Sequence, residues 1–254
     1  MRSKEFLPVY SENLGSVESI AASRKKMKRW ISRVYNADKV EILAEPETIY
    51  ASGSVCRIKA KVNGKMKNVY LKNDWSSNGL EAYALAFYNL VSDDTISYTA
   101  FNAGKILFLE EVHGKEAVDD CSDKNMSKSF GKAEEYADFL GLADRKENNV
   151  LVHGKNVANI DFGTPFYNDD EFSYNSIYRK IYYHGYGVKK AAKVGRDVAK
   201  AAIKKKLKEN YKKFRHILNE MKGMEKDAWE NNFIEREILP STFMKRQLRK
   251  YLEN

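Results

Sequence analysis

The chain of 254 residues is 43% hydrophobic and has a formal net charge of +9, which suits one large or two-lobed domain and partners of negative charge. No apolar run reaches the roughly 18–20 residues that cross a bilayer, and residues 1–15 lack a secretory signal, so the sequence predicts a cytoplasmic protein without a transmembrane segment. Two isolated cysteines and four histidines without metal-ligand spacing disfavour a disulfide framework and a zinc site.

The first predicted element is a basic amphipathic helix over residues 17–35. Its apolar side chains recur at helical spacing between six Lys and Arg residues, and they are Ile20, Met27, Trp30, Ile31 and Val34. Two interpretations are open for this helix. It packs on the domain with a solvated basic face, or it docks on an acidic protein or an anionic membrane.

The next stretch reads as an antiparallel sheet with one inserted helix. Asn63-Gly64 between two alternating runs is a strong hairpin signal. The period of the apolar residues predicts the helix over residues 79–91. It predicts strands over 40–43, 48–50, 55–62, 67–72, 96–101 and 105–111.

The second half of the chain is mainly helical. A helix is predicted over residues 127–141, with Ser127 as its N-cap and Gly141 as its C-cap. A short hairpin of strands over 150–152 and 157–160 follows, and the sequence from Ser176 onward reads as charged helix. The predicted fold class is therefore α+β.

Polar residues flank this short hairpin. Asp144 and Asn149 precede its first strand, and Asp161 follows its second, so hairpin geometry brings the three to the same end. Magnesium prefers oxygen ligands and takes one or two carboxylates from a protein. Asn149 and Asp161 are the expected ligands of Mg²⁺ or Mn²⁺, with Asn148 as the alternative amide, and Asp144 is expected to orient or deprotonate an acceptor hydroxyl.

Two motifs carry a resemblance to a known family. Asp144-Arg145-Lys146-Glu147-Asn148-Asn149 and Ile160-Asp161-Phe162-Gly163 resemble the atypical branch of the protein-kinase-like superfamily, which includes phosphatidylinositol 3/4-kinases, HipA-type kinases and small bacterial relatives. The resemblance implies a two-lobed kinase-like fold, with a helical extension over 1–44, an antiparallel-sheet N-lobe with one helix over 45–112, and a mostly helical C-lobe over 113–254. It also implies ATP as cosubstrate.

The resemblance further implies roles for upstream residues. Lys72 would contact the nucleotide phosphates and Glu81 would pair with Lys72. Gly53 and Ser54 would belong to the turn that covers the phosphates. The stretch 108–112 would be the hinge, where the backbone of Glu110 and Val112 would bind adenine. The sequence departs from well-studied protein kinases after Gly163, because no Ala-Pro-Glu follows, and this puts control by activation-loop phosphorylation in doubt.

The expected activity is transfer of the ATP γ-phosphate to a protein hydroxyl, on serine or threonine. The alternatives are a lipid (phosphoinositide) or small-molecule kinase, and a pseudokinase that acts as a basic binding module. A second basic amphipathic helix over 189–213 is a further candidate for docking on an acidic protein or anionic lipid, whereas nucleic acid is disfavoured because aromatic residues are sparse there. Delivery into a host cell as an effector or toxin is also open.

Overall fold

The structure is a computed structural model, and it describes residues 17–49, 55–73, 80–92, 100–102, 106–111, 114–116, 124–143, 145, 149–160, 162, 165–167, 186–230 and 238–253. Its fold class is α+β, as predicted, with antiparallel sheets and a mainly helical remainder. The chain divides into two compact units. Unit 1 comprises residues 1–86 and 97–112, and unit 2 comprises 87–96 and 113–254. Six residues with predicted roles lie outside the described residues, namely Gly53, Ser54, Val112, Asp144, Asn148 and Asp161.

The N-terminal helix is broken in two, so the prediction of one helix over 17–35 is wrong. Helix α1 spans Val17–Ala21 and helix α2 spans Arg24–Tyr35. Ser23 between them has an extended backbone, and its side chain accepts a hydrogen bond from the Lys26 backbone N–H at 3.4 Å. Ser23 is thus an N-cap, and an N-cap residue cannot also continue a preceding helix.

Unit 1 is built on a six-stranded antiparallel sheet. Its order is β1-β3-β4-β6-β5, with β2 also paired to β3. Asn63 and Gly64 both have positive φ and join β3 to β4 in a two-residue turn, as a type I′ hairpin requires. The elements are β1 (Val40–Ile42), β2 (Glu47–Thr48), β3 (Val55–Val62), β4 (Lys65–Asn73), β5 (Ala100–Asn102) and β6 (Ile106–Glu110), and helix α3 (Leu80–Val91) begins in unit 1 and continues into unit 2 from Phe87.

The apolar side of α2 is part of the core of unit 1. Met27, Trp30 and Ile31 are buried in the same cluster as the inward side chains of β3, β4 and β6. The ring of Trp30 stacks on Phe108 of β6 at 5.8 Å between centroids. Because this apolar stripe is buried, only the basic side of α2 faces solvent, and the helix has no apolar surface to insert into a membrane.

Unit 2 contains a small three-stranded sheet and four long helices among the described residues. Strand β7, which was not predicted, pairs with the first strand of the expected hairpin, in the order β7-β8-β9. A two-residue strand carries too little periodicity to be recognised in sequence. The elements are β7 (Lys115–Glu116), α4 (Lys124–Leu140), β8 (Val150–His153), β9 (Asn156–Asn159), α5 (Tyr186–Glu209), α6 (Tyr211–Glu230) and α7 (Pro240–Glu253).

The ends of the unit 2 helices correct two predictions. Helix α4 begins at Lys124, so Ser127 lies inside it and is buried instead of capping it. The basic helix predicted over 189–213 is interrupted at Asn210, between α5 and α6. Gly141 does end α4 with a positive φ, and the N–H groups of Gly141 and Leu142 return to Asp138 and Ala137 in a Schellman arrangement.

Helices α4 and α5 cross at very short range. A Cβ placed on Gly131 would overlap the carbonyl oxygen of Ala192, and one placed on Gly195 would overlap the carbonyl oxygen of Lys128. Two glycines facing opposite backbones let the helices approach more closely than side chains would permit. This contact holds α5 against the first half of α4.

None of the helices that the structure describes is both long enough and apolar enough to cross a membrane.

Candidate active site

Lys72 and Glu81 form an ion pair in unit 1. Lys72 lies near the end of β4, and Glu81 lies in the first turn of α3. The ammonium Nζ of Lys72 is 3.1 Å from Oε1 and 3.1 Å from Oε2 of the Glu81 carboxylate. The Glu81 side chain is 1% exposed and that of Lys72 is 20% exposed. The pairing is the one that the resemblance implies, and the Lys72 side chain keeps part of its surface in solvent.

The segment after β6 is fastened to β4 by a carboxylate. Glu111 accepts hydrogen bonds from Asn68 Nδ2 at 2.8 Å and from the Tyr70 hydroxyl at 3.1 Å, and its own N–H donates to the Asn68 carbonyl at 3.1 Å. Burial and the Glu111 carboxylate raise the pKa of Tyr70. Because hydrogen bonding alternates along an antiparallel pair, the N–H and C=O of Glu110 point away from β4. These groups of Glu110 lie on the side of β6 where β5 pairs, and the resemblance puts adenine beside this stretch.

The short hairpin of unit 2 closes beside Asn149. The Ile160 N–H donates to the Asn149 carbonyl at 2.9 Å, and Val150 pairs with Asn159 in the next register position. Asn159 Nδ2 donates to the carbonyl of Ala133, at 3.0 Å, and so ties the hairpin to α4. The buried Asn149 and Ile160, which precedes Asp161 in sequence, are therefore fixed side by side at the hairpin end.

The chain after Asp161 is also tied to α4. Phe162 is fully buried, with its ring 5.5 Å from Tyr88. The N–H groups of Phe166 and Tyr167 donate to the carbonyls of Leu140 and Gly141 at 2.8 and 2.9 Å. Phe166 has a positive φ of 65°, a conformation that costs a non-glycine residue energy and persists where packing imposes it.

Arg145 anchors the loop that begins after α4. Its Nε donates to the Leu142 carbonyl at 2.6 Å, and its Nη1 donates to Asp138 Oδ1 at 2.6 Å. Arg145 directly follows Asp144 in sequence, so these two bonds fix the backbone next to it. Arg145, which follows Asp144, and Phe166 and Tyr167 are thus bound at the C-terminal end of α4, whereas the hairpin beside Asn149 is bound to Ala133 in the middle of that helix.

A network of charges behind this loop was not found in the sequence. Arg196 of α5 contacts Glu134 at 3.4 Å, Glu135 at 3.1 Å and Asp138 at 2.8 Å, all on α4. The hydroxyl of Tyr251 on α7 donates to Glu135 at 2.5 Å. Burial acts to lower the pKa of Arg196, but the three carboxylates together raise it. Burial, and after it the charge of Glu135, raise the pKa of Tyr251.

The same network extends to the loop through Asp138. Its two carboxylate oxygens bind different arginines, Oδ1 receiving Arg145 and Oδ2 receiving Arg196. The sequence does show three acidic residues, Glu134, Glu135 and Asp138, on one side of α4, and this cluster could have indicated a charge network. Their partners could not be identified from the sequence, because Arg196 and Tyr251 are distant in the chain.

Glu134 gives this network a pH dependence. Its Oε2 is buried without a hydrogen-bond partner among the described residues, and burial raises its pKa to about 7 from 4.5 despite the opposing effect of Arg196. The folded protein thus holds a proton on Glu134 between pH 4.5 and 7, where the unfolded chain has lost it. Stability therefore falls as the pH rises through this window, and the loss is complete above about pH 7.

The change Glu134→Gln is expected to remove this loss, since the amide is neutral at every pH and keeps the side-chain shape. The variant should be more stable than the wild type by about 2–3 kcal/mol at pH 8 and equally stable near pH 4. Urea denaturation at both pH values measures the difference. Asp197→Asn, at an exposed carboxylate of α5, is the control and should not gain stability at pH 8. A gain in stability that is equal at the two pH values would show that deprotonation of Glu134 is not the cause.

The described site residues that the sequence predicted are divided between the two units. Lys72, Glu81 and the backbone of Glu110 belong to unit 1, and Asn149 belongs to unit 2. Among the described residues no three His, Cys, Asp or Glu side chains are grouped to hold a metal. An amide oxygen and one carboxylate are nevertheless a donor set that suits Mg²⁺, whose remaining ligands are phosphates and water.

The chain matches no protein-family model, and no curated protein is significantly similar to it.

Proposed function

We propose that the protein is an ATP-dependent kinase that transfers the γ-phosphate to a serine or threonine hydroxyl of a protein. The observation that carries the proposal is the Lys72–Glu81 pair. A buried carboxylate paired with a lysine stabilises a fold little, because desolvation offsets most of the attraction. The pair does hold a point charge in a fixed position on a strand, which is what binding of a triphosphate needs.

In this proposal unit 1 binds the nucleotide. Lys72 contacts the phosphates and Glu81 keeps its ammonium in place. The turn with Gly53 and Ser54 covers the phosphates. Adenine binds to backbone groups of the stretch from Glu110 to Val112. The bonds from Asn68 and Tyr70 to Glu111 support this role, since they hold Glu111 against β4.

Unit 2 supplies the residues for phosphoryl transfer. Asn149 and Asp161 would hold Mg²⁺ or Mn²⁺, which neutralises phosphate charge when bound. Asp144 orients the acceptor hydroxyl and accepts its proton. The acceptor oxygen forms a bond to the γ-phosphorus while the bond from that phosphorus to the bridging oxygen breaks and ADP leaves. Positioning and charge stabilisation supply the rate enhancement.

The test is incubation with γ-labelled ATP and Mg²⁺, with three acceptors in parallel: a cell lysate, phosphoinositide vesicles and a panel of small alcohols. Label in protein bands on serine or threonine supports the proposal. Label in lipid or in a small molecule would assign one of the other kinase classes. No label in any arm, together with retained binding of ATP, would indicate a pseudokinase.

Variants decide whether the label comes from the proposed site. Asp144→Ala and Asp161→Ala should each remove it, whereas Asp197→Ala, an exposed carboxylate on α5, should not. Circular dichroism of the four proteins separates loss of chemistry from loss of fold. Unchanged labelling by the Asp144 and Asp161 variants would show that the site is wrong.

A further inference from the structure

The solvent-facing side of helix α5 combines positive charge with an aliphatic stripe. The helix has nine cationic and two acidic residues over its 24 positions, a formal charge of +7. Its six exposed cations are all lysines, and they are Lys189, Lys190, Lys193, Lys200, Lys205 and Lys208. Between them Val194 and Val198 are 45% and 41% exposed. With the exposed Ala201 they follow i, i+4, i+7 spacing, so they form one stripe.

Most of these exposed lysines lack an ion-pair partner among the described residues. Lys189, Lys190, Lys193 and Lys208 make no ion pair with any residue in the described part of the chain. Arg196, the single arginine of the helix, points the other way and binds the carboxylates of α4. The unpaired lysines extend from Lys189 to Lys208, over about 28 Å of helix at 1.5 Å per residue. A partner must therefore present negative charge along a comparable length.

We propose that this side of α5 binds the surface of an anionic lipid membrane, as a peripheral and salt-dependent contact. Clusters of four to eight lysines on an amphipathic helix suit the diffuse charge of anionic headgroups. The long lysine stems keep their ammonium groups at headgroup level while the two valines make shallow contact with the boundary of the acyl chains.

The chemistry of the surface favours lipid over the other polyanions. Interfaces with proteins are enriched in arginine and depleted of lysine, which is the opposite of what this side presents. Single-stranded nucleic acid binds where aromatic rings offer a stacking platform, and the stripe here is aliphatic. Helix α2 is a poorer candidate, because its apolar side chains Met27, Trp30 and Ile31 are buried in the core of unit 1.

The test is cosedimentation of the full chain with vesicles. Vesicles of phosphatidylcholine with 30% phosphatidylserine should bind the protein at 50 mM NaCl, and phosphatidylcholine alone should not. Raising the salt to 300 mM should weaken binding by at least about tenfold, because the contact is electrostatic. Absence of binding to the anionic vesicles at low salt, or equal binding to neutral ones, would overturn the proposal.

Matched charge reversals locate the surface. Lys190→Glu with Lys193→Glu should weaken binding by at least about tenfold. Lys25→Glu with Lys28→Glu makes the same change of charge, also at i, i+3 spacing, on the exposed side of α2, and should weaken it by less than about threefold. Equal losses from the two pairs would show that only net charge matters, and would refute the assignment to α5. Phosphotransfer in vesicle-free solution should not change in either double variant.

A gain-of-binding variant tests the aliphatic stripe independently. Val194→Trp should bind anionic vesicles more tightly and shift its tryptophan emission to shorter wavelength on binding, since an aromatic ring prefers the membrane interface. Unshifted emission and unchanged affinity would place Val194 away from the lipid and contradict the proposal. Binding to a single-stranded oligonucleotide or to polyglutamate that depends on Lys190 and Lys193, without vesicle binding, would assign the surface to a soluble polyanion instead.

Discussion

Replacing Lys72 with methionine is expected to lower the rate of ATP-dependent phosphotransfer by about a hundredfold or more, because loss of one preorganised charge at the reacting phosphates costs this much. Methionine has a similar length, so the change removes the ammonium and little volume. Glu81→Gln should have a smaller effect, about tenfold, since the ammonium remains and only its positioning weakens. Initial rates with γ-labelled ATP measure both.

Stability must be separated from activity at this pair. Lys72→Met removes the cation beside a carboxylate that is 1% exposed, and breaking a buried pair in this way costs about 3 kcal/mol or more. The double variant Lys72→Met with Glu81→Leu removes both charges and should recover most of that stability, but it should stay inactive. If the double variant regained activity with its fold, the lysine would be a structural residue and the kinase proposal would lose its main support.

Replacing Arg196 with methionine is expected to destabilise the fold in a pH-dependent way. Three carboxylates of α4 lie within 3.4 Å of this guanidinium, and its removal leaves them close together and partly buried. Since the arginine side chain is one-third exposed, we expect the lower end of the usual range for breaking a buried pair, about 3 kcal/mol at pH 8. Chemical denaturation measures it.

The loss should depend on pH in a defined direction. Arg196 lowers the pKa of Glu134, so without Arg196 the folded protein holds the Glu134 proton to higher pH than the unfolded chain does, and the deficit should be large at pH 8 and shrink towards pH 4. Lys193→Met, on the exposed side of the same helix, should change stability by less than about 0.5 kcal/mol at either pH. A deficit that stays constant with pH would mean that Arg196 acts through packing of its stem and not through charge.

The sequence was most informative where structure is local. The hairpin at Asn63-Gly64 was predicted because only residues that tolerate positive φ fit a two-residue turn, and the end of α4 at Gly141 follows from the same property. The break at Ser23 was missed although serine is a good cap, since an apolar period that continues on both sides masks a single capping residue.

The packing of helices against distant parts of the chain could not be predicted from the sequence in the same way. The sequence left open whether α2 packs on the domain or docks on an acidic protein or an anionic membrane, and only the sheet packed against Trp30 placed its apolar side in the core. The charge network joins residues from positions 134 to 251, and no sequence spacing relates Arg196 or Tyr251 to Glu135.

The amino-acid order alone determined the α+β class, the alternating strands, and the motifs around Asp144, Asn149 and Asp161 on which the kinase proposal is based. These follow from residue period and backbone preference, which act over a few neighbours. The tertiary structure decided that Lys72 meets Glu81, that Arg196 gathers the carboxylates of α4, and that two valines of α5 remain in solvent. Such contacts depend on how distant segments pack, and the free energy of packing is a property of the whole chain.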